Sequence, residues 1–359
     1  MPVRSSRRAV LLGTGATLAL GAALRNPSAQ EKLKAGWVYV GPIGDHGWTY
    51  RHDVGRREVE AALGDRVETT YVESVQEGPD AERVIRQLAA TGHGIVFATS
   101  FGFMNSVIRV AKQFPQVKFE HATGYKTAEN VAVYNARFHE GRTVIGTIAG
   151  HMTKSGIVGY IGSFPIPEVV MGINAFTLAL RRVRPDAQVR VVWVDSWYDP
   201  GKEADAAKAL IDQGADILSQ HTDSPAAVQV AEERGVRTFG QASDMTKFAP
   251  KAHLTAIIDN WGPYYVQRCR AVLDGSWKSH SIWWGLKEGM VQIGPYNPAL
   301  PETVVAEAER VRKGIIEGTV HPFAGPIRDQ KGELRVPEGQ VLSDEEIHEM
   351  DWYVEGVQA

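Results

Sequence analysis

KAGWVYV-GPIGDHGWTYRHDVGRR, residues 34–57, runs from an apolar segment through a Gly/Pro-rich turn into a helix-forming segment. A strand over Lys34–Val40 that ends in such a turn and opens a helix places the turn at the carboxyl edge of a parallel sheet. Open α/β folds bind small molecules there. The turn carries Asp45, His46 and Trp48. Trp48, just inside the helix, offers a flat ring on which a planar ligand can stack. Asp45 either caps the helix or reads the edge of a ligand. His46 and His52 have no third ligand at an HExxH-like spacing, so neither a metal nor any other cofactor is expected.

Outward from this stretch the same rhythm repeats. Strands are expected at Arg66–Val72, Gly94–Ala98 and Val117–His121, with helices at Gly47–Leu63, Pro79–Thr91 and Phe103–Phe114. Pro79–Ala90 has Pro79 in its first turn, acidic Asp80 and Glu82 near the positive helix end, and an apolar stripe of Ala81, Val84, Ile85 and Leu88. After an extended run at Asn130–Phe138 and a helix at Glu140–Met152 the alternation restarts, with strands at Gly156–Ile161, Gln188–Asp195, Asp216–Ser219 and Val236–Phe239. Two rounds of β-α alternation predict an α/β fold of two similar lobes, each with a parallel sheet covered on both faces. The run Leu254–Ile258 begins a return, Trp261–Leu273 and Pro301–Glu317 read as helices, and turn-rich Gly325–Val357 caps the structure.

The 359 residues, 43% hydrophobic and 23% charged with net charge −3, suit two lobes with their own cores and give no electrostatic case for nucleic acid. Cys269 is the single cysteine, so no internal disulfide can form. Residues 1–30 read as an export signal. Arg4 and the pair Arg7-Arg8 precede an apolar run, Ala9–Leu24, of twin-arginine character. A soluble, exported, periplasmic protein is expected.

Other turns after strands carry candidate binding groups. Thr99-Ser100-Phe101 follows the third strand, and Ser100 there can hold an acceptor or cap the next helix. In the second lobe Asp195–Gly201 contributes Trp197, Gln220–Pro225 contributes His221, and Gly240–Asp244 contributes Asp244. Glu140 and His139 open the helix that follows the first lobe. No GxSxG, P-loop or HExxH motif is present, and no enzyme activity is expected.

From Lys34 to Val357 the chain resembles the basic membrane protein (BMP) family of ABC-transporter substrate-binding proteins, of the purine-nucleoside receptor type. The resemblance rests on Gly41–Trp48, on Glu140–Gly159 with its turn Thr153-Lys154-Ser155-Gly156, on ALIDQGADI at 209–217, and on GPIRDQ at 325–330 with VLSD at 341–344 and WYVEGV at 352–357. It implies a type I periplasmic-binding fold with two Rossmann-like lobes, three crossings and closure over one purine-like ligand. Lobe 1 would comprise 31–137 and 255–290, lobe 2 138–254 and 291–324, and 325–359 the cap. The resemblance implies Trp48 and Trp197 as the stacking walls and Asp45, Ser100, Glu140 and Asp244 as polar groups of the cleft. Phe101 and His221 complete the expected ligand-binding set. A membrane permease and its ATPase are the implied partners of a monomeric binding protein; a sensor for a membrane receptor and a nucleoside hydrolase are the alternatives. The chain departs from the family in lacking a lipobox cysteine, in having Asp259 where relatives carry lysine, and in having His221-Thr222-Asp223 in place of a glycine pair. A free base is as compatible with these departures as a nucleoside.

Overall fold

The computed structural model describes residues 31–359; the expected export signal, 1–30, lies outside them. Five strands alternate with helices in the first half: β1 (Leu33–Val38), α1 (Gly47–Leu63), β2 (Val67–Val72), α2 (Pro79–Ala90), β3 (Ile95–Ala98), α3 (Met104–Ala111), β4 (Lys118–Ala122) and β5 (Val131–Ala136). The second round contains α4 (Phe138–Met152), β6 (Ile157–Gly162), α5 (Pro167–Val183), β7 (Gln188–Trp193), α6 (Pro200–Asp212), β8 (Ile217–His221), α7 (Ala226–Arg234), β9 (Arg237–Gly240) and β10 (His253–Asp259). The remainder comprises α8 (Gly262–Leu273), β11 (Ser281–Trp284), β12 (Val291–Ile293), α9 (Glu302–Glu317), the pair β13 (Ile327–Arg328) and β14 (Leu334–Val336), α10 (Asp344–His348) and β15 (Val357–Gln358).

Both sheets have the same strand order. The first runs β11-β5-β4-β3-β1-β2 and the second β12-β10-β9-β8-β6-β7-β15. Within each, the first strand of the round sits between the second and third, so the chain reverses direction across the sheet there. A crevice opens at the carboxyl ends of the strands at such a point. β1 pairs in parallel with β2 from Leu33↔Val67 to Val38↔Val72, and its last four residues are fully buried. That near-continuous apolar character is what a strand covered by helices on both faces requires. β12 departs from the parallel pattern and pairs antiparallel with β10.

The chain crosses between lobes three times, at Ala136–Phe138, after Asp259 and between Trp284 and Val291. Sheet membership corrects one expected boundary. All of β10 belongs to the second sheet, so the chain returns to the first lobe after Asp259 rather than after Leu254. The short apolar run reads equally well as either lobe's strand in sequence; its pairing with β9 and β12 decides.

α4 is buried on nearly every side. At Gly146 a Cβ would lie 3.0 Å from the Cα of Phe176, so only glycine lets α4 come this close to α5. The C-terminal segment closes the second lobe's edge: β15 adds to β7, and Asn174 of α5 donates to Trp352 O (2.7 Å) and accepts from Val354 N (3.0 Å). It also reaches the crossings, where Arg137 pairs with Asp344 and lies 4.3 Å from the Trp283 ring centre. Among the described residues no helix is long and apolar enough to cross a membrane.

Candidate functional site

A cavity of about 360 Å³ opens between the lobes at the carboxyl edges of both sheets. Its first-lobe wall comes from Gly41 and Trp48 after β1, Gln76 and Glu77 after β2, Ser100 and Phe101 after β3, and Thr123 after β4. Its second-lobe wall comes from Phe164 and Glu168 at the start of α5, Asp195–Tyr198 after β7, His221–Asp223 at and after β8, and Gln241 after β9. Every strand-to-helix turn named here points to one place because the two sheets face each other with the same strand order.

Backbone strain gathers at the same edges. Among the described residues, the four non-glycine residues with left-handed backbone, Ser74, Thr123, Asp195 and Ala242, each follow a strand by one or two residues. Thr123 (φ 62°) and Asp195 (φ 50°) line the cavity. Strained non-glycine residues persist where surrounding structure over-determines them, and they cluster at binding clamps.

Hydrogen bonds fix the first-lobe wall. The Trp48 indole N–H donates to Thr99 O (2.7 Å), and the ring meets Trp261 edge-on at a centroid distance of 5.3 Å. Ser100 does not cap the following turn; its hydroxyl donates to Glu77 Oε1 (2.6 Å), tying the β2 and β3 turns together. The Ser100 carbonyl accepts from His121 (2.7 Å), whose burial lowers its pKa to about 4 and keeps the ring neutral.

In the second lobe the buried Arg142 organises the wall from behind. It donates to Ser219 Oγ (3.2 Å), to Gln220 O (2.9 Å) and to Gln241 Oε1. Gln241 therefore keeps its amide nitrogen as the free end. Gln220 in turn donates to Thr222 O (3.0 Å) and Ser224 O (2.9 Å), shaping the turn that carries His221 and Asp223. The Asp223 N–H donates to Trp197 O (3.0 Å), which joins the two aromatic and acidic turns. Trp197 packs against Phe164 at 5.2 Å between centroids. His221 lies 3.6 Å from Glu168, and burial lowers its pKa, so the imidazole is neutral.

Three polar atoms of this wall are buried without a partner: Glu168 Oε2, His221 Nδ1 and Thr222 Oγ1. Native proteins rarely leave such groups unpaired, and polar atoms of this kind facing a cavity suit the polar edge of a small molecule. The wall also holds four carboxylates, Glu77, Glu168, Asp195 and Asp223, and neither lysine nor arginine. An anion gains nothing there.

Of the residues expected from sequence, Trp48, Ser100, Phe101, Trp197 and His221 line the cavity. Asp45, Glu140 and Asp244 do not. Asp45 is largely exposed, pairs with Lys247 and His46, and does not cap α1. Glu140 turns to the third crossing, where it accepts from Leu286 N (2.8 Å); burial raises its pKa to about 7. Asp244 accepts from Thr246 N (2.9 Å) in its own turn. His46 packs edge-on against Phe248 at 5.0 Å, and buried His52 stacks on Trp261 at 4.6 Å. Among the described residues no group of three potential metal ligands occurs. Asp259 is fully buried with both carboxyl oxygens unpaired, and burial drives its pKa well up.

Two matching α/β lobes that enclose a small-molecule cavity at their switch points define a two-lobed α/β binding protein of the type I periplasmic kind. The solute-binding protein of an ABC transporter from Conexibacter woesei superposes with a TM-score of 0.64 at 20% identity, over 80% of this chain and 98% of that one. The chain belongs to the Bmp family, "ABC transporter substrate-binding protein PnrA-like", whose profile matches residues 32–322. It is 56% identical to a purine-binding protein of Brucella abortus over 97% of this chain and 98% of that protein. It is 37% identical to a putative ABC transporter glucose-binding protein of Haloferax volcanii, over 92% and 82% of the two chains. Membership makes it the extracytoplasmic binding component of an ABC transport system, a carrier of solute rather than an enzyme.

Proposed function

We propose that the cavity captures a purine base or nucleoside between the closing lobes and that a membrane permease with its ATPase receives it. The observation that carries this is the composition of the wall: Trp48 and Trp197 among carboxylates, with no cationic side chain. Aromatic faces suit a planar heterocycle. Carboxylates, His221 Nδ1 and the Gln241 amide suit its N–H and ring-nitrogen edges, and bonds to a charged acceptor are the stronger kind. The 360 Å³ volume falls within the range of small-molecule sites. The purine-binding relative supports the same ligand class.

The wall predicts exclusion of nucleotides. Like charges brought together in a site cost several kcal/mol, so AMP should bind at least about a hundredfold more weakly than adenosine or adenine. Competition against a bound purine reads this directly. Mass spectrometry of the protein purified without residues 1–30 tests the ligand class: a co-purified purine supports it, and a co-purified hexose in its place contradicts it.

A further inference from the structure

Helix α1 begins at the cleft without a cap of its own. His46, before it, makes no side-chain bond to the helix, and the first turn carries no acid. Its first backbone donors go instead to the other lobe. The Gly47 N–H donates to Ser243 Oγ (2.7 Å) and the Trp48 N–H to Asp223 Oδ1. We propose that Ser243 and Asp223 cap α1 across the cleft, as positioning residues whose cap exists only in the closed protein. This rests on the reading of the chain as a binding protein that closes.

The local geometry is built for that contact. Gly47 has φ 79°, and a Cβ there would lie 2.8 Å from the Asp223 carbonyl oxygen. Glycine is therefore required both for the backbone angle and for the approach. Two more bonds bridge the same seam: Arg51 Nε donates to Asp259 O (2.6 Å), and Lys247 pairs with Asp45. Gly47, Ser243, Arg51 and Lys247 all lie off the cavity wall. An ordinary cap stabilises its helix in every state of the protein. A cap supplied by the opposite lobe stabilises the closed state selectively; its Ser243 half raises apparent ligand affinity from off the cavity wall, whereas Asp223 also lines the cavity.

The contact also couples closure to protons. Asp223 has its pKa raised to about 7, chiefly by withdrawal from water and further by Glu203, against the lowering effect of the Trp48 and Thr49 N–H groups. The groups facing it are Glu203 on α6, Tyr198 after β7 and Asp259 at the end of β10; α1 presents only backbone donors. In the open cleft the carboxyl regains water and its ordinary value. Closure therefore takes up a proton, and its carbonyl oxygen still accepts from Trp48 when protonated. The resulting stabilisation of the closed form is full below the ordinary carboxylate range, declines as pH rises from there, and is lost by about pH 7.

The test uses Ser243→Ala, Gly47→Ala and the rescue Ser243→Thr, with adenine, guanine, hypoxanthine and adenosine as probes. Both alanine variants should raise Kd for the best probe roughly fivefold to tenfold, mainly through faster dissociation, while Ser243→Thr stays near wild type. Ligand-free Ser243→Ala and Gly47→Ala should also show a larger radius of gyration by small-angle scattering. Kd should rise by up to about tenfold per pH unit as pH climbs from the ordinary carboxylate range toward about 7 in the wild type, level off above about 7, and be flat throughout in Asp223→Asn. Unchanged Kd and unchanged radius in both alanine variants would overturn the cap, and a wild-type Kd flat across pH 5–7 would overturn its proton coupling. If wild type binds none of the four probes, the purine reading fails, and the cap is then judged on the ligand-free radii alone.

Discussion

Trp48→Ala is expected to weaken binding of the best purine ligand by about thirtyfold, corresponding to roughly 2 kcal/mol, the loss typical of a tryptophan anchor in a well-packed pocket. The indole is positioned before the ligand arrives. Its N–H is committed to Thr99 O and its body is braced by Trp261 and His52, so little rotamer freedom remains to be lost on binding. Trp48→Phe separates the contributions. It keeps a ring at the wall but frees the Thr99 carbonyl, so it should retain more affinity than the alanine variant. Isothermal titration of the three proteins checks both statements, and full affinity in Trp48→Ala would remove the stacking wall from the account.

Glu120→Ala should do the reverse, destabilising the fold by about 3–5 kcal/mol while leaving ligand affinity intact. Glu120 is completely buried in the first lobe, on β4. It accepts from Arg268 (2.5 Å), the Trp277 indole (2.7 Å) and the Tyr264 hydroxyl (2.6 Å). Removing it leaves the Arg268 guanidinium buried without its counter-charge, and that uncompensated charge is the source of the large expected loss. None of these residues lines the cavity. Denaturant unfolding of the variant, alongside titration of the folded fraction, gives both readouts; a change below 1 kcal/mol would show that the network is not a stabilising one.

The two lobes were legible because the β-α rhythm repeats with apolar strands short enough to be sheet and apolar helices long enough to cover it. Trp48, Ser100, Phe101, Trp197 and His221 were legible for a related reason: each stands at a strand's carboxyl end or in the segment that leads from it into the next helix, and topology alone brings those ends together. Choosing within a turn was harder. Gln241 and Asp244 share one turn, yet Gln241 faces the cavity and Asp244 bonds back to Thr246. Ala242, at φ 60°, lies between them and redirects the chain, and no periodicity announces a left-handed alanine. Asp223 and His221 share another turn, and both reach the wall because Gln220 pins its backbone from two sides. Phe164 and Glu168 sit before and at the opening of α5, where Glu168 reads as an ordinary acid near a helix N-terminus. Glu140 came from the resemblance and went to the hinge instead, since α4 presents it to Leu286 rather than to the cleft.

The trans cap was the least legible feature. Asp45 precedes α1 at nearly the right spacing for a local cap, and only the fold shows that Asp223, 175 residues from Trp48, supplies the acceptor. Its signal in sequence was negative: a helix with a glycine start, no Ser, Thr, Asp or Asn immediately before it, and no acid in its first turn.

The site is built to hold a purine-type ligand between two aromatic and acidic walls, a reading that follows from the cavity lining. Titration calorimetry of the protein lacking residues 1–30, stripped of ligand by unfolding and refolding, tests it most directly. Adenine, guanine, hypoxanthine, adenosine, AMP and glucose are the ligands. One-to-one binding of at least one base or nucleoside is expected, with AMP and glucose far weaker; binding of glucose with silence from every purine would contradict a purine site.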